Sequence, residues 1–280
     1  MKRLLGYLLF ISAFVAIVGC AGMAQKKDGS MQCREGEMNW NGERLQNHCE
    51  IREQTVAAGG AITVDAGRNG GVAVKGWERN EILVRAKVQT AAPSKAEAEQ
   101  LAKEVRIDTT GLRIHAEGPD NRDNFYWSAS YEIFVPRRSD LSVEAHNGGI
   151  SIADVSGRME FKTQNGGLSL HGVGGNVRGT TTNGGVHVEL SGNRWDGETL
   201  DVRTTNGGVH LSMPDNYSAH LETGTVNGNV SSDFPLNVPL TERGRMPKEI
   251  SVDIGSGGPT IRAITTNGGV RVSRAGEVKF

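Results

Sequence analysis

At 280 residues the chain is long enough to bury a substantial core without metals or many disulfides, so core size does not limit the fold. Thirty-eight glycines beside only 5% aromatic residues argue against a helical protein and for a chain that turns often and packs small aliphatic layers. A formal net charge of −1 leaves no basic excess to neutralise phosphates, which removes electrostatic support for a nucleic-acid partner or an anionic surface.

The N-terminus reads as an export signal. Lys2 and Arg3 are followed by an almost unbroken apolar run from Leu4 to Val18, shorter than the span of about twenty residues that crosses a bilayer. The run ends in Ile17-Val18-Gly19-Cys20, which resembles the bacterial lipobox. That resemblance implies a lipoprotein signal peptide over residues 1–20 in which cleavage falls before Cys20, so that Cys20 is acylated as the first residue of the mature chain and anchors it to a membrane rather than spanning it. Ordinary cleavage after Ala24, with Gly22 and Ala24 as the small pair, is the alternative.

Residues 21–48 are expected to form a polar tether and a disulfide loop. Cys33 and Cys49 remain as an even pair in a chain that leaves the reducing cytosol, and their spacing fits neither a redox C-x-x-C motif nor a four-ligand zinc site. A bridge closing about sixteen residues contributes on the order of 3 kcal/mol, and Met31 to Asn47 has little periodicity of its own to order it.

A β-rich region is expected over 49–140. Alternating, β-branched runs at Ala61–Asp65, Val72–Val74 and Glu81–Val88 predict strands, as do Val105–Ile107, Leu112–Ala116 and Tyr126–Val135. Pro93 to Val105, rich in Ala, Glu and Lys and opened by Pro and Ser, predicts one short helix lying on the outside of the sheet.

From Pro136 the sequence repeats. Asn147-Gly148-Gly149-Ile150-Ser151-Ile152 returns at Asn165, Asn183, Asn206, Asn227 and Asn267, at intervals of 18, 18, 23, 21 and 40 residues, with an outlying copy at Asn69. The last interval is twice the period, which suggests a coil that has lost its Asn, with Gly257-Gly258-Pro259-Thr260-Ile261 as its relic. Fixed periods near twenty are the signature of a solenoid. The third and fifth positions after Asn are aliphatic in every copy but the degenerate one at Asn227, whose fifth is Ser232, and are expected to point inward while the fourth points out. Asn and Gly tolerate left-handed backbone angles, so each Asn is expected to mark a sharp corner and to stack into a ladder. A row of hairpins is the competing reading of Asn-Gly. The expected fold is therefore all-β, a C-terminal parallel β-solenoid over 141–280 with about 18–23 residues per coil.

These residues also resemble a bacterial family of candidate adhesins with β-strand repeats, a domain of unknown function. The resemblance spans roughly Cys49 to Lys279 and rests on Gly76-Trp77, on the Tyr131–Pro136 strand and on the Thr-Thr-Asn-Gly-Gly repeats at Thr181, Thr204 and Thr265. It implies a β-solenoid on the cell envelope and brings no catalytic residues or cofactor with it.

Parallel β-helices include polysaccharide lyases and hydrolases, whose chemistry needs carboxylates converging on one groove. Here Asp154, Glu160, Glu189, Asp196, Glu198 and Asp201 read as scattered, none in phase with the corner, and the Asp196–Asp201 cluster is the place for a groove if one exists. His187 and His210 share a repeat position and are expected about 5 Å apart as a surface ladder, without a third ligand in phase for a metal because the flanking equivalents are Ser169 and Ser231. Trp77, Trp127 and Trp195 read as core plugs or caps before sugar platforms. The expected function is a non-catalytic envelope lipoprotein, adhesin-like or scaffolding, that reaches the membrane through its lipid and an unidentified protein or glycan through its surface. A carbohydrate-active β-helix enzyme is the alternative.

Overall fold

Every second side chain of the long coil strands is buried, and that alternation builds the solenoid. In β11 (Ser156–Asn165) Met159, Phe161 and Thr163 are buried while Arg158, Glu160 and Lys162 face out. An Asn-Gly-Gly corner then leads to a short strand such as β12 (Leu168–His171), in which Leu168 and Leu170 point inward. The computed structural model describes residues 31–40, 43–120 and 122–275, so the signal segment, Cys20 and residues 21–30 of the tether lie outside the described residues.

In chain order the strands are β1 (Gly36–Trp40), β2 (Glu43–Ala57), β3 (Ile62–Asp65), β4 (Val72–Trp77) and β5 (Glu81–Ala92), then helix α1 (Lys95–Glu104). β6 (Arg106–Asp108), β7 (Arg113–Glu117), β8 (Tyr126–Pro136), β9 (Leu141–Ala145) and β10 (Ile150–Ala153) precede β11 and β12. There follow β13 (Gly174–Asn183), β14 (Val186–Glu189), β15 (Thr199–Asn206), β16 (Val209–Met213), β17 (Ala219–Asn227) and β18 (Val230–Ser232). The last three are β19 (Glu249–Ile254), β20 (Thr260–Asn267) and β21 (Val270–Arg274).

From β8 to β19 successive strands alternate between two sheets, and neighbouring coils pair in parallel. One sheet runs β1-β2-β5-β8-β4-β10-β12-β14-β16-β21-β18, the other β19-β17-β20-β15-β13-β11-β9-β3-β7-β6. Between them lies a single core of stacked aliphatic rows: Val72, Ile150, Leu168, Val186, Val209 and Val270 form one such row, each at most 3% exposed. Burying each such side chain stabilises by about 1.5–3 kcal/mol.

The all-β, parallel-solenoid expectation holds, and four features differ from the sequence reading. The Asn69 copy is not outlying: β4 pairs in register with β10, Val72 opposite Ile150, so the coil of β3 and β4 stacks directly on the coil of β9 and β10. Between those two coils the chain leaves to add β8 beside β4, β5 on the far side of β8, and α1 against β5 and β2. Ser94 caps α1, accepting from the Glu97 N–H and donating to the Glu97 carboxylate at 2.7 Å, a reciprocal arrangement that satisfies the first turn.

Second, residues 36–40 and 43–48, read from the sequence as tether and disulfide loop, form β1 and the start of β2, an antiparallel pair, and β2 continues along β5 for twelve residue pairs. Ladder bonds and the edge position order this segment without a strong apolar pattern.

Third, the 40-residue interval hides no lost coil. After β18 the chain crosses the end of the solenoid, where Phe234 is buried and Leu236, Val238 and Met246 pack on the core, and β19 runs antiparallel along β17. Residues 257–261 are the return that carries β20 and β21 back between coils already laid down. β20 lies between β15 and β17, and β21 between β16 and β18. The spatial order of the asparagines is thus 206, 267, 227.

Fourth, the Asn-Gly-Gly corners are not left-handed. None of the seven asparagines has a positive φ, and of the first glycines only Gly268 does, at 155°. The left-handed residues sit at the opposite corner, where Asp154 has φ 57° and Gly172 has φ 58°. What the first glycine supplies is clearance. A Cβ on Gly148, Gly166, Gly184, Gly207 or Gly268 would lie 2.0–2.1 Å from the carbonyl oxygen of the glycine in the adjoining coil.

Candidate binding surfaces and their side chains

At the corner the asparagine amides form one continuous chain. Asn147 Nδ2 donates to Asn69 Oδ1 at 3.0 Å, and Asn165, Asn183, Asn206, Asn267 and Asn227 each donate to the preceding member at 2.8 Å. Just inside it, Thr163, Thr181, Thr204, Thr265 and Thr225 are buried, and each hydroxyl donates to a glycine carbonyl of the adjoining coil at 2.7–2.8 Å. Every polar group at the corner is therefore tied along the stacking direction, which stiffens the edge.

The outer face of the second sheet carries side chains in register. Five residues before each Asn stand Glu160, Arg178, Asp201, Arg262 and Glu222, paired in that spatial order. Glu160 and Asp201, read from the sequence as out of phase, are thus in phase, and with Glu222 they alternate with arginines. Asp201 is 8% exposed. Burial pushes its carboxyl up, but the hydrogen bonds from Arg203 and the charges of Arg203, Arg262 and Arg178 outweigh that and hold it below the usual carboxylate range. Nearer the ladder, Glu144, Lys162, Thr180, Thr182, Thr205 and Thr266 line a shallow groove of about 660 Å³.

On the other sheet the rings of His187 and His210 stand edge to face with centroids 4.9 Å apart. The next position along is Arg271, not Ser231, because of the inserted coil. Burial, then His187 and Arg271, lowers the His210 pKa against the opposing pull of Asp233, and its Nε2 lies 2.7 Å from Ser273 Oγ. Among the described residues no three His, Cys, Asp or Glu side chains converge as metal ligands.

A second groove, of about 710 Å³, runs along the corner opposite the asparagines, lined by Asn80, Arg138, Asp140, Ser156, Gly175 and Asp196 among others. Asp196 of the Asp196–Asp201 cluster does reach a groove, whereas Asp201 lies on the sheet face. Asp140 Oδ1 accepts the Arg158 N–H at 2.7 Å, which fixes it as a local cap. His220 joins strands at the solenoid end: its Nδ1 lies 2.8 Å from Asp253, its Nε2 3.2 Å from Ser251 Oγ and 3.7 Å from Glu222. Ser251 and Asp253 are exposed on a sheet face, so the group fastens edge strand β19 to β17.

Trp77, Trp127 and Trp195 serve packing. Trp195 is 3% exposed with its indole N–H on Gly175 O, Trp77 donates to Glu81 O beside Phe134, and Trp127 donates to Pro119 O. Cys33 and Cys49 are joined in a disulfide with Cα atoms 5.5 Å apart. Sequence reading missed Arg262, Glu222 and Asp140. The first two were findable by counting back five from each Asn, while Asp140 emerges only when the coils stack.

No curated protein matches the chain. Solved structures that it resembles include a candidate cell adhesion protein from Clostridium sporogenes, 12% identical with a TM-score of 0.46 over 81% of this chain and 100% of that one. A candidate adhesin from Bacteroides fragilis is 10% identical, TM-score 0.35, over 80% and 97%, and a candidate lipid binding protein from Parabacteroides distasonis is 8% identical, TM-score 0.34, over 84% and 98%. At these identities and TM-scores the likenesses carry no functional argument. Residues 95–273, a span holding α1 and the coils from β9 through all but the last residue of β21, match the Toastrack family DUF4097, and the chain belongs to it.

Proposed function

We propose that the chain is a non-catalytic cell-envelope lipoprotein, acylated at Cys20, whose solenoid presents a repetitive adhesin-like or scaffolding surface to a protein or glycan. The observation that carries this reading is the in-register outer face around Thr182, Thr205 and Thr266, flanked by the asparagine ladder. Side chains repeated at the coil spacing of about 4.8 Å beside a hydrogen-bonded asparagine ladder suit an extended, repetitive ligand more than a single small molecule. The test is a photo-cross-linking residue at Thr205, in cells, with and without Cys20→Ser. The reading expects envelope adducts from Thr205 and none from Glu99 on α1, and their loss, with release of the protein from membranes, in the Cys20→Ser chain. Equal adducts from both positions, or unchanged membrane retention, would contradict it.

The glycine-lined groove with Asp140 and Asp196 is the one observation favouring the carbohydrate-active alternative. Release of reducing ends from a polysaccharide, abolished by Asp196→Asn with the fold intact, would establish it.

A further inference from the structure

The coil of β20 and β21 fills a slot whose two walls, β15 with β16 and β17 with β18, come earlier in the chain. The fit is chemical on both sides. Arg262 lies 3.6 Å from Asp201 on one wall and 2.5 Å from Glu222 on the other. Thr265 donates to Gly207 O at 2.7 Å, while Thr223 and Thr225 donate to Ala263 O and Gly268 O at 2.6 and 2.8 Å. Beyond the corner, Ser273 meets His210, Arg271 meets Asp233 at 3.1 Å and Arg274 meets Asp215 at 2.8 Å.

The Asn-Gly-Gly phase would equally let the walls close on each other in sequence order, but Asp201 would then face Glu222 about 5 Å away, a like-charge pair directly opposed. The slot therefore selects an inserted strand carrying a cation at this position. During folding both walls can form while their facing edges are still unpaired, which is the condition for strand donation. The donor hangs on Gly255-Ser256-Gly257-Gly258-Pro259, whose three glycines take φ values of 59°, 74° and 146°.

We propose that this slot is a self-association site, taken by the Thr260–Arg274 strand pair of a second copy, with two copies exchanging reciprocally about the Gly255–Pro259 hinges. Exchange keeps every contact between the strand pair and its walls and adds only the cost of association and of a reopened hinge. The test uses two full-length chains, one with Arg262→Glu and one with Glu222→Arg. Alone, each sets like charges side by side in its own slot. Refolded together, Asp201 and Glu222 of the Arg262→Glu chain regain an arginine between them only if the strand pairs cross between chains, while the slot of the Glu222→Arg chain holds one attractive and one repulsive neighbour either way. The proposal expects a 1:1 heterodimer of twofold mass by native mass spectrometry that neither chain forms with itself. A chain carrying both substitutions keeps the pair in cis and controls for folding. If it folds and the mixture still yields only monomers, or homodimers as abundant as heterodimers, the proposal is wrong.

Discussion

Gly207 and Gly208 stand side by side in one corner and answer to different constraints. A Cβ on Gly207 would sit 2.1 Å from the Gly184 carbonyl oxygen, backbone that cannot yield without separating two coils, whereas one on Gly208 would meet Gly269 O at an ordinary 3.5 Å. Gly207→Ala should therefore cost about 1–3 kcal/mol, the range of overpacking a filled site, and Gly208→Ala well under 1 kcal/mol. Thermal unfolding of the two variants checks this, and a left-handed corner would have made both costly. His210 gives the second prediction at this scale. Its pKa is lowered in the fold by burial, His187 and Arg271, so the unfolded chain binds its proton more readily. The contribution is fully present above the unfolded value of about 6.5 and is lost as pH falls through the lower folded value. The melting temperature of the native chain should fall between pH 7.5 and 5.5, and His210→Gln should flatten that slope. An unchanged slope would place the acid sensitivity elsewhere.

At the scale of elements, the pair β1 and β2 owes its order to ladder bonds and to the Cys33–Cys49 bridge. Closing about sixteen residues contributes on the order of 3 kcal/mol, so reduction should raise amide hydrogen exchange in β1 and the start of β2 while leaving β11 and β13 protected. Uniform loss of protection would show instead that the bridge holds the whole frame. How much could be read beforehand follows the same division. Period-2 alternation and the Asn-Gly-Gly phase made the coil strands and the inward pairs such as Ile150 and Ile152 legible, because both depend on neighbours a fixed distance away in sequence. The strands around Leu45 and Ile51 were not, since their pairing with β5 supplies what their own pattern lacks. The reason for Gly207 was also hidden, because clearance between coils is a property of stacking. The charge column was legible and missed: Glu160, Arg178, Asp201, Glu222 and Arg262 each precede an Asn by five residues.

For the molecule as a whole, neither the number of coils, since the 40-residue interval suggested one that does not exist, nor their order was legible in the sequence. The phase of Asn206, Asn227 and Asn267 is compatible with stacking in chain order, and what decides against it is a sum of long-range terms. Arg262 separates Asp201 from Glu222, Thr225 reaches Gly268 O, and the crossing segment buries Phe234 at the end of the frame. That inserted order shapes both outer faces, since it sets Arg271 beside His210 and Thr266 beside Thr205 on the proposed binding face. It also leaves the slot on which the proposed self-association depends. The most direct test is pairwise disulfide trapping in a Cys20→Ser background. Neighbouring parallel strands are about 4.8 Å apart and a disulfide needs Cα atoms within about 7 Å, so one coil spacing can be bridged and two cannot. The inserted order predicts that Thr205→Cys with Thr266→Cys oxidises readily, within a chain or between two exchanging copies, and that Thr205→Cys with Val226→Cys does not. The reverse outcome would mean that the coils stack in sequence order and that neither the slot nor its inserted strand pair exists.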